Sequence, residues 1–394
     1  MAPEPDYGDF VDSEEEFEFD ETAEVVDGYR DGSYYPICIG ELLNQRYRIE
    51  HKLGHGSYST VWMAYDTQIK RDVALKIISP GTPGDYELSM QNEIIQAVPD
   101  ISNIVTYLEH FLLVRDDLNT VYRVLVFPVR GPSLGSIHVR ELPGATRMCA
   151  AKQFLTALQS LHSGGIVHRD INSGSLLFGV APLDKSSTSA KYQCLGRPMK
   201  RPLPTNLWKS GEWVKPLEVP HNMLKGQAYL CDFGLSIKAG TEVEDKIQGP
   251  PWFCAPERYH NIGPSFASDM WSYTCLFAEL YFGWNPFSSF FGGTAPDIPH
   301  MVYVLGPLPE NWEGYYYDIG RSDKSWYGSK GGPVFTEELQ GMIERARPET
   351  GITERMHVLS IMSKGFCYQP EHRITAAQLL EDASFQALMQ IYQV

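Results

Sequence analysis

Along the chain, apolar and polar positions first alternate and later recur at helical spacing. Residues 47–53 and 60–65 alternate like strands, and 73–78 is a buried-looking strand interrupted by a single lysine, Lys76. Residues 122–127 form a further strand closed by Pro128, and 176–178 a short one. Residues 228–234 read as a strand ending in Asp232-Phe233-Gly234. Helical spacing predicts helices over 86–97, 150–161 and 376–380. A buried helix carrying Met270, Trp271, Tyr273, Phe277 and Tyr281 follows an N-cap signal at Ser268-Asp269. Residues 179–227 have little periodicity and are rich in Pro, Lys and Ser, so they read as a long insert or loop.

Composition changes this picture at one end. The chain has 394 residues, 43% apolar and 21% charged, as a globular protein with ample core does. No run of about 18 apolar residues is present and the N-terminus is acidic, so neither a membrane span nor a signal peptide is expected. Seven scattered cysteines without a CxxC pair suit reduced thiols inside the cell, in cytoplasm, nucleus or both. The net charge of −16 is uneven: residues 1–31 hold thirteen acids and one arginine, leaving −4 for the other 363. Residues 1–30 therefore read as an acidic, solvated and disordered tail, with a basic partner as the alternative.

Several stretches carry chemistry. Gly54-His55-Gly56-Ser57-Tyr58-Ser59 lies between two strands, where glycines let backbone N–H groups approach a phosphate. An ordinary hairpin is the competing reading. A P-loop is excluded because no Gly-Lys-Ser/Thr follows, and a dinucleotide loop because a strand follows rather than a helix. Lys76 in a buried strand is costly unless paired or facing an anion, or unless it snorkels outward, and Glu93 on the helix over 86–97 is its candidate partner. His168-Arg169-Asp170-Ile171-Asn172-Ser173-Gly174-Ser175 sets an acid between a basic pair and an apolar run, as a loop presenting a catalytic carboxylate would. Asp232 at a strand end suits a hard cation, although Asp-Phe-Gly is also common turn chemistry. Arg373 could pair with Glu257.

Gly54-x-Gly56-x-x-Ser59-x-Val61, Ala74-x-Lys76, Glu93, His168-Arg169-Asp170, Asp232-Phe233-Gly234 and Ala255-Pro256-Glu257 occur in the order and spacing of the eukaryotic protein kinase domain. The chain resembles that family from about Tyr47 onward. Tyr34-Tyr35-Pro36-x-x-Ile39-Gly40, Tyr58-Ser59-Thr60-Val61-Trp62 and Leu305-Gly306-Pro307-Leu308-Pro309 resemble the SR-protein kinases, fungal ones in flavour.

The resemblance implies an α+β, two-lobed fold with a mainly antiparallel N-lobe carrying one key helix and a mainly helical C-lobe. The expected parts are the tail 1–30, an extension 31–46, the N-lobe and hinge 47–130, and the C-lobe 131–394 with its insert 179–227. It implies ATP and Mg²⁺ as cofactors and transfer of the γ-phosphoryl group to serine or threonine of proteins, and the sub-family implies proteins of Arg-Ser-rich splicing type. Asp170 would orient and deprotonate the hydroxyl, Lys76 would hold the phosphates, and Glu93 would hold Lys76. Leu53, Gly54, His55, Gly56, Ser57, Val61, Ala74, Phe127, Pro128 and Arg130 would line the ATP site, Pro128 by its carbonyl and Arg130 by its N–H. Asp232 and Ser175 would ligate metal. His168, Arg169, Phe233, Gly234, Glu257, Asp269 and Arg373 would be structural. Glu310, Glu313 and Asp318 lie where the sub-family recruits basic substrates. A monomer without nucleic-acid or membrane contacts is expected.

Three departures stand out. The lysine two residues after the catalytic aspartate is Asn172, the metal-binding asparagine five after is Ser175, and the threonine ahead of Ala-Pro-Glu is Pro250. Loss of a phosphate-neutralising cation costs a few kcal/mol, roughly two to three orders of magnitude in rate. A pseudokinase scaffold is therefore the alternative to an active kinase. Ser236 and Thr241 are candidate phosphorylation sites that could pair with Arg169, and unmodified hydroxyls are the plainer reading.

Overall fold

Six antiparallel strands carry the first part of the chain in a computed structural model that describes residues 24–115, 120–288, 298–312 and 335–394. They are β1 (Leu42–Leu43), β2 (Tyr47–Gly56), β3 (Ser59–Asp66), β4 (Arg71–Ile78), β5 (Glu109–Arg115) and β6 (Thr120–Pro128), in the order β1-β2-β3-β4-β6-β5. One face collects Tyr47 and Ile49, Trp62 and Ala64, Val73, Leu75 and Ile77, and Tyr122, Val124 and Val126. The period of two in each strand is what a half-buried sheet requires. β5 has no such alternation in its sequence: Leu112 and Val114 are exposed on this edge strand.

That face is covered by parts the sequence did not assign to a core. Tyr35, Ile37, Ile39 and Leu43 from the extension, with Val214 from the insert, complete the apolar cluster. A smaller cluster joins Tyr29 and Tyr34 to Leu203 and Trp213. Residues 24–30, expected to be disordered, are folded, with a helical turn at Asp27–Arg30 and a fully buried Tyr29. Glu24 is not solvated: its carboxylate accepts from the Lys52 ammonium and the Tyr29 hydroxyl, with both charged side chains wholly buried. Pairing makes such burial tolerable. The rest of the predicted tail, residues 1–23, lies outside the described residues.

The insert is likewise built rather than featureless. It contains a helix, Thr188–Leu195, and a strand pair, Lys200–Pro202 with Glu212–Val214. Lys191 is buried against Glu50, 2.7 Å away, and Asp72. Lys200 meets Glu212 at 3.1 Å, and the Glu212 carboxylate accepts the Ile39 N–H at 2.7 Å. Chain contacts divide the molecule into two units, Met1–Asn92, Val105–Pro132 and Phe178–Lys225 forming the first. The insert thus clusters with the sheet, not with the helical part in which the sequence placed it.

The second unit comprises Glu93–Ile104, Ser133–Leu177 and Gly226–Val394. Its centre is the helix Phe266–Phe282, flanked by Gly144–Ser163 and Ile352–Gly365. Ser265, not Ser268, is the N-cap; the Ser268 side chain answers it from the third helical position in a capping box. Fourteen of the seventeen residues of this helix are buried, which is why its pattern was legible.

Candidate active site

In the second unit, the helix Phe266–Phe282 presents Asp269 in its first turn. The buried Asp269 carboxylate accepts the N–H groups of His168 at 2.7 Å and Arg169 at 2.9 Å, and meets His162 Nε2 at 3.0 Å. These bonds hang the loop 168–175 on the rigid core. His168 Nε2 lies 3.0 Å from the Cys231 carbonyl, and its ring packs edge-on against the buried Phe233. The segment ending in Asp232-Phe233-Gly234 is thereby tied to the same loop. Arg169 and Asp232 adopt left-handed backbone conformations, φ 72° and 68°, a strain that non-glycine residues hold only where the surroundings impose it.

Asp170 sits in the middle of this construction. Asn172 Nδ2 donates to Asp170 Oδ1 at 2.8 Å and to the Asp170 carbonyl at 3.1 Å, while Asn172 Oδ1 accepts the Gly174 N–H at 2.7 Å. The orientation of the amide is therefore fixed by both its ends. Burial pushes the Asp170 carboxyl above the ordinary aspartate range; His168 opposes this, the Asp232 carboxylate adds to it, and the Asn172 amide and Arg258 charge oppose it. Gly249, at φ +76°, lies against the same carboxylate: a Cβ there would come 2.1 Å from Asp170 Oδ1.

Ser175, expected as a metal ligand, is placed otherwise. It is buried, its hydroxyl donates to the Asn172 carbonyl at 2.8 Å and accepts the Asn172 N–H at 3.0 Å, answering the N-cap Asn172 in a capping box over the short turn Ser173–Ser175. Its proton and one of its two lone pairs are thus committed to its own turn. Asp232 remains as the candidate ligand. Its mutual repulsion with Asp170 is a local excess of negative charge that a divalent cation would relieve. No cluster of three or more His, Cys, Asp or Glu able to hold a metal occurs among the described residues.

In the first unit, Gly54 and Gly56 end β2, facing Val61 and Ser59 across a hairpin that turns at Ser57-Tyr58. The hairpin and the phosphate-loop readings are thus compatible. A Cβ at Gly54 would meet nothing within 4 Å, and one at Gly56 only Ser59 Oγ at 3.8 Å. Neither the fold's packing nor a left-handed φ requires glycine there, whereas a closely approaching phosphate would. Val61 pairs with Lys76 and Ala74 with Phe127, so these residues share adjacent strands with Pro128 at the end of β6. Leu53 and His55 lie in β2 beside the glycines, and Arg130 follows β6, its guanidinium donating to the Val129 carbonyl at 3.2 Å. These residues fit a nucleotide.

The expected pair Lys76–Glu93 is not formed. Lys76 Nζ lies 2.8 Å from Glu87 Oε1, and Glu93 pairs with Lys238 Nζ, also at 2.8 Å. Both acids are on the helix Thr82–Ala97, and residues six apart on a helix point about 120° apart, so they cannot share one partner. Only three residues, 79–81, separate β4 from this helix, which puts its first turns closest to Lys76.

Glu257 and Arg373 do meet: Arg373 grips both carboxylate oxygens, at 2.7 and 2.9 Å, with both side chains wholly buried. Ser236 is fully buried and donates to the His168 carbonyl at 3.2 Å, so it is no phosphorylation site in this arrangement; Thr241 is exposed. Glu310 lies in a short turn, and Glu313 and Asp318 lie outside the described residues. Sequence reasoning passed over Glu87, Gly249 and Arg258. Arg258 offered a signal, a cation with no acid three or four residues away on either side.

The protein kinase domain model matches residues 47–186 and 214–385. The chain belongs to the protein kinase domain family. It is similar to the serine/threonine-protein kinase SRPK of Physarum polycephalum, 25% identical over 421 residues, which cover 95% of this chain and 92% of that protein. To the probable serine/threonine-protein kinase clkA of Dictyostelium discoideum it is 25% identical over 363 residues, 89% of this chain and 37% of that protein. To the mouse SRSF protein kinase 3 it is 34% identical over 175 residues, 41% of this chain and 30% of that protein. The chain thus spans well under half the length of the second and third relatives. The segment 187–213, which the family model passes over, packs Trp208 against the apolar cluster of the sheet and supplies Leu203 and Trp213 to the smaller cluster with Tyr29 and Tyr34.

Proposed function

We propose that the chain is a serine/threonine protein kinase that transfers the γ-phosphoryl group of ATP to hydroxyls of arginine- and serine-rich proteins. The observation that carries this reading is Asp170, fixed by the Asn172 amide in a loop hung on Asp269 and set electrostatically against Asp232. ATP with Mg²⁺, when bound, supplies the transferable group and the cation that shields its charge. Asp170 orients the acceptor hydroxyl and takes up its proton. Its position against Asp232 and its burial raise its basicity for that task. Lys76, held by Glu87, binds phosphate, and the N–H groups of the Gly54–Gly56 hairpin approach it. Val61 and Ala74 enclose adenine. Asp232 would hold the cation.

The substrate class rests on similarity to an SRSF protein kinase and on charge. A formal charge of −16 attracts basic peptides at long range. Transfer from Mg-ATP should be at least about tenfold faster to an Arg-Ser repeat peptide than to an Asp-Ser repeat at low salt, the preference falling as salt screens it. Equal transfer to both would exclude this substrate class, and transfer to neither would exclude the kinase reading.

A further inference from the structure

The catalytic loop has an amide at Asn172 where the resembling family carries a lysine, yet a buried cation stands close by. Arg258 is 2% exposed. Its Nε donates to the Lys246 carbonyl at 2.5 Å and its Nη1 to the Arg169 carbonyl at 3.1 Å. Its Nη2 is buried and has no hydrogen-bond partner, and no carboxylate forms an ion pair with it among the described residues. The neighbouring residue Glu257 is already gripped by Arg373. A buried guanidinium served only by carbonyls is costly, and a position that keeps one needs a reason.

The two carbonyls identify that reason. Arg169 immediately precedes Asp170, and Lys246 lies three residues before Gly249, whose backbone packs on Asp170 Oδ1. Arg258 therefore clamps the two chain segments that flank the catalytic carboxylate. Its charge also acts on Asp170 against the effects of burial and of Asp232. We propose that Arg258 is a positioning residue that supplies from the Ala-Pro-Glu end of the segment the fixed positive charge this catalytic loop lacks at Asn172, keeping the Asp170 carboxylate aligned. The assignment rests on the kinase reading for its catalytic consequence, but not for the coupling between the two residues.

Both levels can be tested on the full chain. Arg258→Gln should lower kcat for an Arg-Ser peptide by about 30- to 100-fold, the scale of losing one preorganised electrostatic contact, with KM changed less than about threefold. Arg258→Lys should retain more of the rate. Adding Asn172→Lys to either variant, which returns a cation to the loop itself, should recover about tenfold; recovery is not expected of a residue that only fills space. A kcat within twofold of wild type for Arg258→Gln, or a loss that Asn172→Lys leaves untouched, would overturn the proposal. A second measurement needs no turnover: thermal midpoints of Arg258→Gln, Asp170→Asn and the double variant. The proposal requires non-additivity, the double variant losing less than the sum of the two single changes, and strict additivity contradicts it. Should Arg258→Gln fail to fold, Arg258→Lys takes its place in the cycle with a smaller coupling. If the wild type transfers no phosphate, the kinase reading fails while the cycle still decides whether Arg258 and Asp170 act together.

Discussion

Two adjacent residues, Glu257 and Arg258, are both buried and are treated in opposite ways. Glu257 is closed into a two-pronged bridge with Arg373, which also receives the Trp271 ring face, 5.2 Å from the guanidinium carbon. Arg258 has only carbonyl partners and an unanswered nitrogen, beside the loop that bears Asp170. The first arrangement is complete and can only hold the fold together. The second is incomplete, and its charge acts on the neighbouring Asp170 carboxylate. The first unit follows the complete pattern: Lys52 with Glu24, Lys191 with Glu50 and Asp72, and Lys200 with Glu212 all tie the extension and insert to the sheet.

The largest effect is expected where the complete pattern is broken. Arg373→Leu leaves Glu257 charged and buried, which should cost about 3–5 kcal/mol of stability. A thermal midpoint unchanged from wild type would show that the bridge is dispensable and the contrast with Arg258 unfounded. Gly249→Ala comes next. Its Cβ would collide with Asp170 Oδ1 at a left-handed φ, and displacing a catalytic group by about 1 Å costs about 100-fold in rate. Steady-state kcat should fall accordingly, with the far-ultraviolet dichroism unchanged; full activity would mean that this segment is elsewhere during turnover.

Smaller effects separate the two acids of the helix Thr82–Ala97. Glu87→Gln should weaken Mg-ATP binding about tenfold, or ~1.4 kcal/mol, by calorimetry, and Glu93→Gln should weaken it less, because Lys76 pairs with Glu87. The reverse order would mean that nucleotide binding exchanges Lys76 onto Glu93. A separate effect is a pH dependence in β2. Burial lowers His51 from 6.5 to about 4. The unfolded chain therefore binds a proton that the folded one refuses, and stability is lost as pH falls from about 6.5 toward 4. His51→Asn should flatten the decline of the thermal midpoint across that window; an unaltered decline would place its origin in other groups.

The parts legible in the sequence were those with local, repeated signals. The alternation in β2 to β4 and β6 and the apolar helix Phe266–Phe282 report their own burial, and the spacing of glycine hairpin, Lys76, Asp170 and Asp232 marks the chemistry. What escaped was non-local. Leu203, Trp208 and the pair Trp213-Val214 are apolar anchors spaced irregularly in a mostly polar segment, and no window over them shows a period. Glu24 reads as one more acid of a solvated run until the fold brings Lys52 to it. Glu87 and Glu93 are equivalent in a list of acids and differ only in the direction each faces on the helix. Ser175 has the right chemistry for a metal and the wrong partners, because Asn172 engages it in a turn.

Single-turnover transfer of γ-phosphate from Mg-ATP to an Arg-Ser repeat peptide, with Asp170→Asn alongside wild type, tests the central claim most directly. The account predicts transfer by the wild-type chain and a loss of at least about 100-fold in the variant, the lower end for removing a general base. Equal rates in the two proteins, or no transfer by wild type with either Mg²⁺ or Mn²⁺, would contradict it.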